Sequence, residues 1–175
     1  KPIWRDDIAA FGPGKDLPVG MAVAGAANGS MTLAAALSEG HEAGNAAAIA
    51  TGYEPTVSLA ANADGEPSGV LAFWHVGESK ARAWLDLQND VTVKDLKIAQ
   101  TEGLYSVEHL KRYTTLGMAT DQGKTANVPA LAIMAELLGK SIPETGTTIF
   151  RPPYTPVPIG AFGGRSRGKH FRPTR

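Results

Sequence analysis

Apolar and polar positions alternate along this chain in patterns that predict distinct elements. The apolar run VGMAVA, residues 19–24, predicts a buried strand. It leads through GAANG (Gly25–Gly29) into an Ala-rich stretch, Ser30 to Thr51, that predicts a long helix. Gly40 and Gly44 weaken that helix by about 1 kcal/mol each relative to Ala; they sit four apart, as a helix closely packed on a sheet requires. VLAFWHV and ARAWLDL predict two short strands with GESK as the turn between them. Thr92-Val-Lys-Asp95 is a capped start for a helix through about Glu102, ended by Gly103. Ser106 then caps SVEHLKRYTT, whose apolar stripe is Val107, Leu110 and either Tyr113 or Thr114, with its end at Gly117. A third helix runs from about Val128 to Leu138 and stops at Gly139.

Proline and glycine punctuate the rest. Residues 54–69 (EPTVSLAANADGEPSG) predict a linker. Pro143 holds the following chain extended, and IFRPPYTPVPIGAFGG is expected to be extended or loop, with Arg151 and Tyr154 as its polar handles. No internal repeat is present.

The chain has 175 residues, enough for one respectable core or two small ones. Seventeen basic residues balance seventeen acidic ones, so no global field draws it to nucleic acid or membrane. The basic tail from Arg151 onward carries no acidic residue; it reads as a solvated linker rather than a phosphate-binding arm. Without cysteine there is no disulfide, thiolate zinc site or iron–sulfur cluster, and a cytoplasmic setting is expected. No apolar run approaches the roughly 20 residues of a membrane span. Neither KPIWRDDIAA nor GGRSRGKHFRPTR reads as a natural terminus, so a piece of a longer chain is expected.

Candidate chemistry is sparse. His41, His75, His109 and His170 are scattered and form no metal-binding pair. Asp6, Asp7, Asp86, Asp90 and Asp121 lie outside apolar runs and read as solvated or capping carboxylates. No Gly-x-Ser-x-Gly elbow offers a nucleophile. In RYTTLGMATDQGKTAN, the Gly123-Lys124-Thr125 triplet ends like a phosphate-binding loop, yet the required first glycine falls on Met118, which excludes a P-loop. The strand, glycine turn and small-residue helix of residues 19–51 match a common dinucleotide-fold element. The turn either aims backbone N–H groups and the helix dipole at an anion or merely permits tight packing.

Several motifs, in order, resemble one family. AVAGAANGSMTLAAALSEGHEAG, NDVTVKDLKIAQTEGLYSVEHLKRYTTLGMATDQGKTAN and FRPPYTPVPIGAFGG resemble the alpha subunits of heterotetrameric sarcosine oxidases, covering the chain from about Val19. The resemblance implies an α/β plus α organisation. Residues 1–53 would end a thioredoxin-reductase-like dinucleotide-binding domain, with a linker and short strands over 54–84. Residues 85–145 would form a helical module of the bacterioferritin-associated-ferredoxin type, and 146–175 a basic linker to an aminomethyltransferase-like domain.

In that ferredoxin type four cysteines hold a [2Fe–2S] cluster. The corresponding positions here are Asp86, Gln88, Asp121 and Ala126, so the resemblance implies a loop kept as scaffold and no cluster. It further implies an NAD site touching Gly25, Ala26, Met31, Thr32 and Leu33, because Gly25-Ala26-Ala27 lacks the Asp of a FAD-binding turn. FMN would lie at an interface with a beta subunit, its phosphate near Lys124 and Thr125, or those side chains would simply meet solvent. FAD and tetrahydrofolate would be bound elsewhere in the complex. The implied activity is oxidation of sarcosine to glycine with O₂, the methyl carbon passing to tetrahydrofolate. The fragment alone would be inactive. A cofactor-free scaffold and a dehydrogenase of another N-methyl amine or imino acid are the alternative readings.

Overall fold

The computed structural model describes residues 2–54, 61–150, 155, 157, 159–163 and 168. It divides into two compact units, Lys1–Phe73 and Trp74–Arg175. Among the described residues, no helix is long and apolar enough to cross a membrane.

The N-terminal unit begins with a hairpin that the sequence pattern did not announce. Strands β1 (Ile3–Arg5) and β2 (Ala10–Gly12) pair antiparallel, with Trp4 opposite Phe11. Those two rings meet edge to face, 5.1 Å between centroids, a cross-strand contact that stabilises so short a ladder. Helix α1 (Leu33–Ala50) follows a single 3₁₀ turn over Gly25–Asn28, and Thr32 caps it by accepting from the Ala35 N–H at 3.2 Å.

The strand expected at residues 19–24 does not form. That segment is irregular, Val19 and Met21 are exposed, and no described strand pairs with it. An apolar run becomes a strand only where a neighbour completes its ladder. Helix α1 buries none of its residues, and Gly12 alone is buried among the unit's described residues. The described residues of this unit form no hydrophobic core.

The C-terminal unit does have one. Strand β3 (Trp84–Asp86) pairs antiparallel with β4 (Val91–Thr92), which leads directly into α2 (Val93–Thr101). ARAWLDL therefore supplies a strand at its end, but its partner is Val91–Thr92. VLAFWHV is irregular, and Leu71, Phe73 and Val76 are exposed. The two-residue strand β4 wins the pairing because α2 fixes it in place: Asp95 accepts from both the N–H (2.8 Å) and the hydroxyl (2.7 Å) of Thr92.

Helices α3 (Val107–Thr114) and α4 (Asn127–Leu138) complete the core, with α2 touching both. The six consecutive residues Ala130–Ala135 of α4 are all buried. A helix apolar on every side is the centre of its domain, and Leu96, Leu110, Leu116, Ile133 and Met134 fill the space around it. Helix α3 buries Val107, Leu110 and Lys111 and ends in a left-handed Thr115, two residues before Gly117. Ser106 precedes it without the expected side-chain cap bond. Thr114, rather than Tyr113, continues the stripe: Tyr113 is exposed, and Thr114 bonds the Leu110 carbonyl at 2.8 Å.

Two proline-based expectations are corrected. Pro143 lies in the first turn of a short helix, α5 (Ile142–Thr145), capped reciprocally by Ser141 and Glu144. Residues Ile159–Gly163 form α6 rather than loop. Arg151 and Tyr154 lie outside the described residues.

Candidate functional site

The loop joining α3 to α4 is the most elaborated part of the C-terminal unit, and a buried carboxylate organises it. Asp86, at the end of β3, is 3% exposed, so of its two readings, solvated or capping, the structure takes the second. One of its oxygens accepts from the N–H groups of Gln88 (2.9 Å) and Asn89 (3.1 Å), closing the β3–β4 turn. The other accepts from the Gly117 N–H at 2.8 Å, on the far side of α2 and α3 in sequence. Asn89 adds a bond to the Thr115 carbonyl (2.8 Å), and Gln88 receives the Thr120 hydroxyl (3.1 Å). The β3–β4 turn is thereby laced to the loop by polar contacts at Asp86, Gln88 and Asn89.

Asp121 plays the matching part at the loop's far end. It accepts from the Gly123 N–H (3.2 Å) and the Thr125 hydroxyl (3.0 Å). Burial pushes its carboxyl up, but the bonds from Gly123 and Thr125 outweigh this and hold it below the usual carboxylate range. The turn needs glycine twice. Gly117 and Gly123 have φ of 66° and 76°, and a Cβ on either would strike the Asn127 side chain. Gln122 also adopts positive φ.

The four positions implied as former cluster ligands are thus drawn into one loop system, with two carboxylates and an amide accepting hydrogen bonds where thiolates would have met iron. Ala126 is buried and apolar. Among the described residues, no group of three His, Asp or Glu side chains could hold a metal. Many of the loop's donors are turned inward: the amides of Gly117, Met118, Gln122, Gly123 and Lys124 all have partners within the protein. Lys124 is exposed, with its ammonium 3.4 Å from the Asp121 carbonyl. Thr125 is exposed as well, but its hydroxyl is committed to Asp121.

The second set of expected residues lies in the N-terminal unit. Gly25 (φ 67°) and Ala26 occupy the 3₁₀ turn, while Met31, Thr32 and Leu33 lead into α1. Three residues that sequence reasoning passed over hold this turn. Glu39, nearly two turns into α1, accepts from the Gly25 N–H at 2.7 Å and from the Asn28 amide. Its carboxyl is held low by Asn28 first, then by Ser30 and Gly25. Arg5 donates to the Asn28 carbonyl at 2.7 Å, and its guanidinium lies against Gly29, where a Cβ would collide with it. Glu66 accepts from the Leu33 N–H, so an anionic group sits at the N-terminus of α1. Acidic residues 11 to 33 positions away from their partners leave no local motif to find.

The C-terminal unit is thus a small helical domain in which a two-stranded hairpin is tied to the loop between α3 and α4. Residues 80–165 match the family model described as "Sarcosine oxidase A3 domain". Over its whole length the chain is 42% identical to the sarcosine oxidase subunit alpha of Rhizobium meliloti (strain 1021) and 41% identical to that of Corynebacterium sp. (strain P-1). Over 98% of its length it is 41% identical to the same subunit of Corynebacterium sp. (strain U-96). Along its length, then, the chain is similar to sarcosine oxidase alpha subunits. It spans only 18%, 19% and 18% of those relatives' lengths.

Proposed function

We propose that this chain works as part of the alpha subunit of a multi-subunit sarcosine oxidase, in contact with a beta subunit. The observation that carries this is identity of 41–42% to alpha subunits along essentially the entire chain. The reaction would be oxidation of sarcosine to glycine with O₂, the methyl carbon passing to tetrahydrofolate and FAD lying in the beta subunit. The cytoplasm is the proposed location.

Within that assembly the N-terminal unit contributes one edge of an NAD site. The α1 N-terminus suits it: the Leu33 amide already takes a carboxylate, so a phosphate would replace like with like. Ala26 is exposed, and Gly25 brings the backbone close to an incoming ligand. An N-terminal unit whose described residues form no core also fits a segment whose α1 is covered by other parts of a dinucleotide-binding domain. NAD would be held there by Gly25, Ala26, Met31, Thr32 and Leu33.

In the C-terminal unit, Lys124 supplies the cation for an FMN phosphate at the subunit interface, with Thr125 beside it at the start of α4. The inward-turned amides of the loop favour a second reading, a scaffold that positions subunits without touching a cofactor. Purification of the assembled complex tests both. Sarcosine-dependent O₂ consumption, with bound NAD reduced by Ala26→Trp and bound FMN reduced by Lys124→Ala, is the expected outcome. Full FMN in an assembled Lys124→Ala complex would leave the scaffold reading, and activity only on another N-methyl amine would reassign the substrate.

A further inference from the structure

A cleft of about 420 Å³ opens in the C-terminal unit between the segment 75–83 and the first turns of α2. Its walls carry His75, Lys80, Arg82, Lys94 and Lys97, and not one carboxylate. These residues are spread over 23 positions of sequence, so the concentration of charge is produced by folding. Among the described residues, none of the four Lys and Arg side chains forms a salt bridge. The carboxylates nearest in sequence lie outside the lining: Glu78 is not part of it, and Asp95, bonded to Thr92, meets the charge of Lys94 from outside it. Arg82 lies over the Trp84 ring at 5.1 Å, which fixes one of the charges at the rim.

Four basic side chains facing one hollow repel one another, and a concave wall focuses their field. A multiply charged anion entering the cleft removes that repulsion. The volume falls within the range of small-molecule sites, roughly 300–1,000 Å³, so a compact ligand fits better than a flat protein surface. Three lysines from two segments, Lys80 before β3 and Lys94 and Lys97 on α2, present point charges that suit tetrahedral phosphate groups. We propose that this cleft binds a small organic phosphate carrying at least two negative charges, held by Lys80, Lys94 and Lys97, with Arg82 at the rim. None of these residues belongs to the Gly117–Thr125 loop or to the Gly25–Leu33 turn, so the proposal stands apart from the cofactor reading above.

The test uses the full chain and inorganic pyrophosphate as the probe, followed by titration calorimetry. Saturable binding is expected, weakening as ionic strength rises from 0.1 to 1 M and the screening length drops from about 10 Å to about 3 Å. Lys94→Gln with Lys97→Gln should weaken it roughly tenfold or more. All three lysines other than the control are exposed, so these variants are expected to keep the far-ultraviolet circular dichroism of the parent. Lys140→Gln, outside the cleft, should change affinity by less than about twofold. Absence of saturation, or equal loss in Lys140→Gln, would overturn the proposal. Tighter binding of citrate, or of an acidic peptide, would overturn the assignment to phosphate and make the cleft a carboxylate or protein contact.

Discussion

The Asp86 carboxylate and the Gly117 N–H are joined by a buried 2.8 Å hydrogen bond between residues 31 apart in sequence. This bond closes the loop system in which the family resemblance had set iron ligands. A carboxylate can do structurally what a cluster does, provided the amides that would have surrounded sulfur find oxygen instead. Asp86→Ala leaves the amides of Gln88, Asn89 and Gly117 without their acceptor. The expected loss is about 2–4 kcal/mol, read as a lower urea midpoint. Asp86→Asn should fall between, because its amide oxygen can serve one side of the site but its NH₂ faces a donor on the other.

Acid should weaken the same unit in a defined window. The Thr92 hydroxyl, and then its N–H, hold the Asp95 carboxyl below its ordinary value of 3.8, and Ser141 does the same for Glu144, ordinarily 4.5. A folded-state pKa below the unfolded one means stability that is complete above the unfolded pKa and lost as pH falls through the folded one. Stability should therefore be level from neutral pH to about 5 and decline below about 4. Asp95→Asn should flatten part of that decline. Urea midpoints measured for parent and variant at neutral and acid pH would show whether the slopes differ.

What could be read from the sequence depended on how local its cause was. Thr92 with Asp95, and Gly139 after Leu138, are signals within one turn, and both elements form where their residues indicate. Ser141 and Glu144 carry the same signature, but Pro143 between them read as a breaker when it was a first-turn proline. The VGMAVA strand failed for the opposite reason: its composition was suitable, and no described ladder receives it. The buried role of Asp86 was hidden because both of its neighbours, Leu85 and Leu87, say nothing of a glycine 31 residues later. The basic cleft was equally invisible, since Lys80, Arg82, Lys94 and Lys97 form no charge run.

Iron reconstitution bears directly on the cluster question. With Asp86, Gln88, Asp121 and Ala126 at the implied ligand positions, and no cysteine anywhere in the chain, no thiolate is present to hold iron and sulfide. Anaerobic incubation with iron and sulfide, followed by desalting, should leave no stoichiometric iron and no visible charge-transfer absorption. The thermal midpoint should be unchanged by the treatment, because Asp86 and Asp121 already satisfy the loop internally.

Gly123 offers the sharpest test of the loop's shape. Its φ of 76° is a left-handed conformation that costs a non-glycine residue roughly 1–2 kcal/mol. A second penalty comes from space, since a Cβ would lie 2.3–2.4 Å from three atoms of the Asn127 amide. Gly123→Ala should therefore destabilise the unit by more than the backbone term alone, about 2–4 kcal/mol in all. Asn127→Ala in the same chain removes the steric part and leaves the backbone part. The double variant is thus expected to lose less than the sum of the two single variants, with a coupling of about 0.5–3 kcal/mol. Additive losses would mean that the Asn127 side chain moves aside at no cost and that the loop is held by Asp86 and Asp121 alone.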